Sequence, residues 1–433
     1  MAIKIIDAKE ALGEDGSSVF LRNSSQGYEE KEKDVAAIVN DVKERGDKAL
    51  FEYESKFDGV SLNPTNIRVT EDEIKKAYEA VDDELIAIMR RSLENIRSYH
   101  QKQLRQSFFT EPKEGVILGQ RITPMEKVGV YVPGGKAAYP SSVLMNIAPA
   151  KVAGVERIIM CSPPDKEGNI YPVTLVAACE AGADEIYKAG GAQAIAAMAY
   201  GTDSVPKVDK IAGPGNVYVA LAKRMVYGQV SIDSVAGPSE ICVMADETAD
   251  ASFVAADLLS QAEHDEMASA VLVTTSHTLA EDVSKMTDKY MERLERAPIM
   301  QESLKNHGAA VICKNMAEAA RVVNAIAPEH LEIVTANPFE DMTRIKNAGA
   351  IFLGAYSSEP LGDYYAGPDH VLPTNGTAKF FSPLSVDDFI KKSSIISYSK
   401  EALFEAKDDI ISFANAEGLT AHANSIKVRF EKE

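Results

Sequence analysis

The sequence predicts an α/β protein in which two layers of parallel strands and helices follow one another. A short arm precedes them and a helical tail follows. Three observations carry this. From about residue 128 to 354, short apolar runs such as Arg157-Ile158-Ile159-Met160 alternate with helix-length segments. Glycine-rich turns stand where a strand hands over to a helix. The alternation restarts near 238, with Glu240-Ile241-Cys242-Val243-Met244 opening the second series. Strands separated by helices build βαβ units and a largely parallel sheet.

In chain order, the first 25 residues are short and mixed and end in Asn23-Ser24-Ser25-Gln26-Gly27, which reads as an arm. Residues 29–56 read as helix, with Val35, Ile38, Val39 and Val42 on one face and a break at Gly46. Residues 71–104 hold a second helical pattern that pauses at Asp82-Asp83. A strand-rich stretch runs from Val116 to Val132, and Ser141-Ser142 signal the next helix. Strands at 157–160, 185–187 and 210–211 then alternate with helices at 174–183, 193–199 and 216–227. The second series adds helix 250–263, strand 269–275, helix 279–296, strand 309–314, helix 316–326, strand 331–335, helix 338–347 and strand 350–354. After about 382 the pattern reads as helical to the end.

With 433 residues, two or three domains are expected. The net charge of −19 argues against nucleic acid or an anionic membrane as partner, since both need a basic face. The longest apolar region, Val143 to Met160, is interrupted by Lys151, Glu156 and Arg157 and cannot span a bilayer. Cys161, Cys179, Cys242 and Cys313 show no C-x-x-C spacing and read as buried small hydrophobes in a reducing compartment. With no signal peptide visible after Met1, a cytoplasmic location is expected.

Seven histidines frame the chemistry. His100, on a polar helix, and His277 and His307, near element ends, read as surface residues. In Gln261-Ala262-Glu263-His264, at the end of an apolar helix, Gln261 and His264 share a face at i and i+3 while Glu263 points away. Gly362-Asp363-Tyr364 to Asp369-His370 follows the last strand. Its acids serve either as turn formers or, for Asp363, as a ligand. Gln261, His264 and Asp363 are expected at the carboxyl-end region of one sheet, with His422 arriving from the tail behind Thr420, a candidate N-cap. Ala327-Pro328-Glu329-His330-Leu331-Glu332 sets an acid and an imidazole at the lip of an apolar strand, either as loop polarity or as a general acid/base pair. Three glycine turns, Pro133-Gly134-Gly135, Gly190-Gly191 and Gly213-Pro214-Gly215-Asn216, precede helices of the first layer and suit a ligand crevice.

Together with Ser234-Val235-Ala236-Gly237-Pro238-Ser239-Glu240 and Leu419-Thr420-Ala421-His422, these motifs run in one order over almost the whole chain, and the chain closely resembles the histidinol dehydrogenase family. The resemblance implies two incomplete Rossmann-like, aldehyde-dehydrogenase-like α/β domains. In the implied division, 1–27 is an arm, 28–130 with 239–381 the substrate and zinc domain, 131–238 the NAD-binding domain, and 382–433 a tail reaching the partner subunit of a homodimer. It implies oxidation of L-histidinol through L-histidinal to L-histidine, the last step of histidine biosynthesis, with two NAD+ reduced. It assigns NAD contacts to Tyr131, Gln193 and Asn216, and one zinc per subunit to Gln261, His264, Asp363 and His422. Ser239, His370 and Glu417 complete the substrate pocket with His330 and the zinc ligands. Glu329 and His330 become the catalytic pair, His330 as general base and Glu329 activating water for the second oxidation. Asp369 stands where the family often has Asn.

Three other readings compete. A zinc hydrolase leaves the glycine turns without a purpose. A thiol-dependent aldehyde dehydrogenase needs a reactive cysteine, and none has an imidazole or cation beside it in sequence. A two-lobed binding protein leaves Glu329-His330 and His422 unexplained.

Overall fold

The computed structural model describes residues 3–13, 16, 18, 20, 29–134, 138–235 and 237–431. The polar stretch Asn23–Gly27 and Gly135 of the first glycine turn lie outside these residues. The strands in chain order are β1 (Lys4–Asp7), β2 (Phe108–Lys113), β3 (Val116–Pro124), β4 (Lys127–Tyr131), β5 (Arg157–Ser162), β6 (Glu185–Lys188) and β7 (Lys210–Ala212). They continue as β8 (Ser231–Ile232), β9 (Glu240–Ala245), β10 (Ser269–Thr274), β11 (Gly308–Ile312), β12 (His330–Val334), β13 (Ala350–Leu353) and β14 (Ile390–Tyr398).

The chain divides into two compact units: residues 1–103 with 125–389, and residues 104–124 with 390–433. The first unit holds both α/β layers. Its five-stranded sheet has the order β6-β5-β4-β7-β8 and its six-stranded sheet β1-β11-β10-β9-β12-β13, all neighbours parallel. The alternation read from sequence is therefore real, and its cause is visible. Ile158 and Met160 pack to one face of the first sheet, Ile159 and Cys161 to the other. A sheet covered on both faces needs unbroken apolar strands, not a polar alternation. Cys242, Met244, Leu331 and Ile333 face the helix Met316–Ile326, whereas Ile241 and Val243 face the helix Ala251–Ala262 on the opposite side.

Several expectations change. The arm contributes β1, an edge strand paired parallel with β11. The leading helices, grouped above with 239–381, cover helices of the first layer, and Asp83–Gln101 also bonds the loop at Tyr364 and Tyr365. Val35, Ile38, Val39 and Val42 pack on the helix Gly191–Tyr200, and Met89, Leu93 and Ile96 on the helices Pro140–Ala153 and Pro172–Ala181, all of the first layer. Those first-layer helices are apolar nearly all round, so they need a second cover beyond the sheet. Residues 279–296 are not one helix: His277–Met291 ends and Ala297–His307 begins, with Pro298 in the first turn of the latter.

The second unit is an antiparallel sheet, β14-β3-β2, with the helices Lys400–Ala416 and Thr420–Lys427. The tail is thus not wholly helical, because Ile390–Tyr398 pairs along its length with β3. Leu419, not Thr420, is the N-cap of the last helix, and its side chain makes no capping bond. Among the described residues no helix is long and apolar enough to cross a membrane.

Ile195, fully buried between the first sheet and the helix Glu29–Arg45, tests this packing. Ile195→Ala is expected to lower the free energy of unfolding in urea by about 2–5 kcal/mol. A loss below about 1 kcal/mol would mean that the leading helix does not close this core.

Candidate functional site

The chain crosses from β8 to β9 in seven residues, Asp233 to Ser239, with no helix between. The carboxyl edge of the first sheet therefore meets the amino edge of the second. A cavity of about 1290 Å³ lies there, lined by Tyr131, Gln193, Gly213 to Asn216, Ser239, His264, Glu329, His330, Asp363 and His370 among others. In the first sheet this is the switch point between β4 and β7, where open α/β sheets bind ligands. In the second sheet, by contrast, the site stands at the starts of β9 and β12. This corrects the expectation of a carboxyl end. The helix Ala251–Ala262 runs back against β9, so Gln261 and His264 arrive at the amino edge.

The Glu-His pair is set by backbone. Ala327 ends the helix Met316–Ile326 in the left-handed region, at φ 51, and Pro328 leads at once into β12. The carbonyls of Pro328 and Glu329 accept from Gly349 and Ala350, each at 2.9 Å. Gly349 is required there: a Cβ would sit 2.5 Å from the Glu329 carbonyl oxygen. Glu329 is buried, and its carboxylate accepts from the Glu240 N–H at 2.9 Å. Burial pushes Glu329 up to about 7, against the pull of His330.

His330 Nδ1 lies 3.0 Å from the Glu240 carbonyl and 2.7 Å from the Gln261 side-chain amide. A carbonyl only accepts, so Nδ1 carries hydrogen. The amide then meets it through its oxygen, since the two amide ends are interchangeable in shape. Nε2 thus holds the lone pair of the neutral ring, and it has no hydrogen-bond partner among the described residues. It lies 3.7 Å from Asp363, whose carboxylate is also 3.6 Å from His370 Nδ1, another buried atom without a partner. Burial works against the charge on His330, but Glu329 and Asp363 prevail and raise it to about 10. Burial likewise opposes the charge of Asp363, and the two imidazoles hold it below the ordinary carboxylate range. Asp363 sits on a π-helical turn, Gly362–Ala366, a distortion frequent at functional sites.

Glu359 went unnoticed in the sequence. It is buried within the same cluster, and His330, Glu359 and Asp363 bring ligand atoms within 4.8 Å of one another. Burial and Asp363 push it up to about 8. Only Asp363 is shared with the implied zinc set. Gln261 is buried against His330. His264, just beyond the helix rather than on its i+3 face, is exposed at the cavity. Glu417 and His422 belong to the second unit and are exposed on it. A mixed set of imidazole nitrogen and carboxylate oxygen suits a borderline divalent ion such as zinc. The two orphaned imidazole nitrogens flanking Asp363 are what such an ion, or a ligand on it, would satisfy.

On the first-layer side, Gly213 at φ 118 runs against β4: a Cβ would fall 2.0 Å from the Tyr131 carbonyl oxygen. Its N–H donates to Asp233 at 2.8 Å and its carbonyl accepts from Lys223 at 2.8 Å, while Lys223 and Asp233 pair with each other. Asn216 caps the helix Val217–Val226 through Oδ1, leaving its amide N–H groups for a ligand. Gln193 is buried and donates to Glu54 at 3.0 Å, and the Tyr131 hydroxyl accepts from the Gly191 N–H at 3.1 Å. A turn with a required glycine, followed by a helix N-terminus, fits the pyrophosphate of a dinucleotide. The cysteines are not nucleophiles: Cys161 and Cys242 are fully buried and their thiols are pushed far up by burial.

His100 is the clearest misreading. It is not on the surface: its side chain is wholly inaccessible and donates from Nδ1 to the Ile96 carbonyl at 2.8 Å. His277 is exposed and His307 partly so.

A family model described as histidinol dehydrogenase matches residues 21–430. A protein of that name from Caldanaerobacter subterraneus subsp. tengcongensis is 60% identical over 398 residues, 92% of each chain. One from Bacillus subtilis is 54% identical over 429 residues, 99% of each. A crystal structure of histidinol dehydrogenase from Elizabethkingia anophelis aligns with a TM-score of 0.91 at 40% identity, covering 95% of each chain.

Glu329 gives a pH test. Its folded value of about 7 lies above the ordinary 4.5, so the folded state holds the proton more tightly, and stability falls as pH rises through that window. Glu329→Gln is expected to gain up to about 3 kcal/mol over the parent in urea unfolding at pH 8, the gain vanishing by pH 4.5. A gain independent of pH would show that Glu329 does not titrate there.

Proposed function

This chain belongs to the histidinol dehydrogenase family and is an enzyme of the NAD-dependent oxidoreductase class, and on that premise we propose how its site works. The substrate is L-histidinol, oxidised to L-histidinal and then to L-histidine, with one NAD+ reduced at each step. The observation that carries this reading is the single cavity on which the glycine turns of one layer and the Glu329–His330–Asp363–His370 cluster of the other both open.

In the first step the carbinol carbon gives a hydride to NAD+ and the hydroxyl proton goes to Nε2 of His330, the nitrogen of that ring whose lone pair is free. Water then adds to the aldehyde carbon. Glu329, poised near neutrality beside His330, takes a proton from that water while His330 returns its proton to the carbonyl oxygen and is neutral again. The resulting gem-diol yields the second hydride to a second NAD+, and its hydroxyl proton leaves through His330. Zinc, when bound, supplies positions for the imidazole and amine nitrogens of the substrate and so fixes its orientation. Asp363, His264 and Gln261 would hold it, together with His422, which the resemblance brings from the other subunit of a homodimer. Ser239, His370 and Glu417 would contact the substrate, and Tyr131, Gln193 and Asn216 the NAD. The four free cysteines suit the reducing cytoplasm.

The charge balance has a consequence. His330 is held protonated by Glu329 and Asp363, whereas a base must start neutral. Asp363 would share its charge with a divalent ion held there, and the His330 imidazole would then lie lower, toward the working range.

Limiting L-histidinol with excess NAD+ is expected to give two NADH per substrate, with loss after chelation and recovery with zinc. No NADH from the zinc-loaded protein would refute the reading. Glu329→Gln is expected to slow histidinal oxidation by about 10²–10⁴ while histidinol oxidation falls far less. Equal losses on both steps would sink the division of labour. The His330 ring, followed by NMR, is expected to titrate at lower pH with zinc than without. An unchanged or higher value would count against a cation at Asp363.

A further inference from the structure

The loop from Asp363 to His370 carries two site residues, and at its start Asp363 reaches His330 of β12. It is held by one helix, Asp83–Gln101, whose apolar face, with Met89, Leu93 and Ile96, is set in the core of the first layer. Four contacts follow the loop in order. Ser92 Oγ donates to the Tyr364 carbonyl at 2.7 Å, and Asn95 Nδ2 to the Tyr365 carbonyl at 2.8 Å. Gly367 at φ 110 packs on the Asn95 backbone, where a Cβ would lie 2.7 Å from the carbonyl oxygen. His100 Nε2 then meets Asp369 Oδ2 at 3.7 Å, with both side chains buried.

That last contact is specific. His100 Nδ1 already donates to Ile96, and Asp369 Oδ1 accepts from the Val371 N–H at 2.8 Å. The Leu384 backbone also lies beside His100, and Asp369 Oδ2 is buried without a hydrogen-bond partner among the described residues. At 3.7 Å the two atoms stand beyond hydrogen-bond reach, so the contact is a buried juxtaposition of two polar side chains rather than a bond. The residue after Asp369 is His370. Asp363 begins the loop and His370 ends it, and the distance between them is set by what grips 364, 365, 367 and 369.

We propose that Ser92, Asn95 and the His100–Asp369 pair are positioning residues for this reaction: from a helix rooted in the first layer, they set Asp363 and His370 at the spacing the substrate and its metal require. This rests on the reading that Asp363 and His370 serve the histidinol site. The helix thereby ties the cofactor side of the cavity to the substrate side. An Asn at position 369 would keep the oxygen that accepts from Val371 and set an amide group against His100.

The test compares His100→Leu, Asp369→Ala, Asp369→Asn and the double variant Ser92→Ala/Asn95→Ala with the parent in the full-length protein. KM and kcat for histidinol, KM for NAD+, zinc affinity by chelator competition and the thermal midpoint are measured for each. His100→Leu and Asp369→Ala are expected to raise KM for histidinol and weaken zinc by roughly 10-fold or more, with KM for NAD+ within about twofold of the parent. Asp369→Asn is expected to match the parent on every measure. A merely structural role would lower the thermal midpoint without moving KM or zinc affinity. Parent-like KM and zinc affinity in the first two variants, or an Asp369→Asn as impaired as Asp369→Ala, would overturn the proposal. Should His100→Leu fail to fold, the double variant carries the same expectation. Should the parent not turn over histidinol, the functional reading fails, and the zinc affinities still decide the role of the helix.

Discussion

Everything in the first unit depends on the seven-residue crossing from β8 to β9. A parallel layer normally returns each strand through a helix, which brings the chain back to the amino edge of the same sheet. Here no helix intervenes, so the chain leaves the carboxyl edge of one sheet and enters the amino edge of the next. Two sheets of like topology are placed edge to edge, and the open end of one faces the entry end of the other. The glycine turns after β4 and β7 and the starts of β9 and β12 can then line one cavity. Hydride transfer needs donor and acceptor held in contact, and a crossing this short gives the two layers little freedom to drift apart.

Around that junction charge is balanced at short range. Three acids, Glu329, Glu359 and Asp363, surround His330, with His370 beyond. Buried like charges cannot all ionise. Glu329 and Glu359 are accordingly pushed up while Asp363, between two imidazoles, is pushed down. The cluster is short of positive charge, and a divalent ion is the simplest supply.

Backbone proximity is the other requirement. Gly213 against Tyr131, Gly349 against Glu329 and Gly367 against Asn95 each bring one chain segment to another closer than any Cβ permits. All three stand next to functional residues and none inside a strand or helix. Packing alone would have admitted alanine. These glycines buy contact between turns, which moves Glu329, the Gly213 turn and the Asp363 loop into range of one cavity.

Much was legible along the chain. Strands buried on both faces are apolar without interruption, and their helices follow in period, so the two layers could be read from local pattern. Glu329-His330, Gln261, His264 and Asp363 stood out as candidates because acids and imidazoles in apolar company are unusual, and because their motifs resemble one family. What escaped was set by contacts remote in sequence. His100 lies on a helix with polar neighbours, and nothing local shows that Asp369, far along the chain, comes to lie against it. Glu359 sits in a short helix after a loop, and only the return of that loop to the start of β12 makes it part of the cluster. The amino edge of the second sheet could not be read either, since it follows from the direction in which one helix runs back. Local periodicity records burial, which each residue carries in its own side chain. Juxtaposition depends on the path of the chain between residues, and only the tertiary structure decides that.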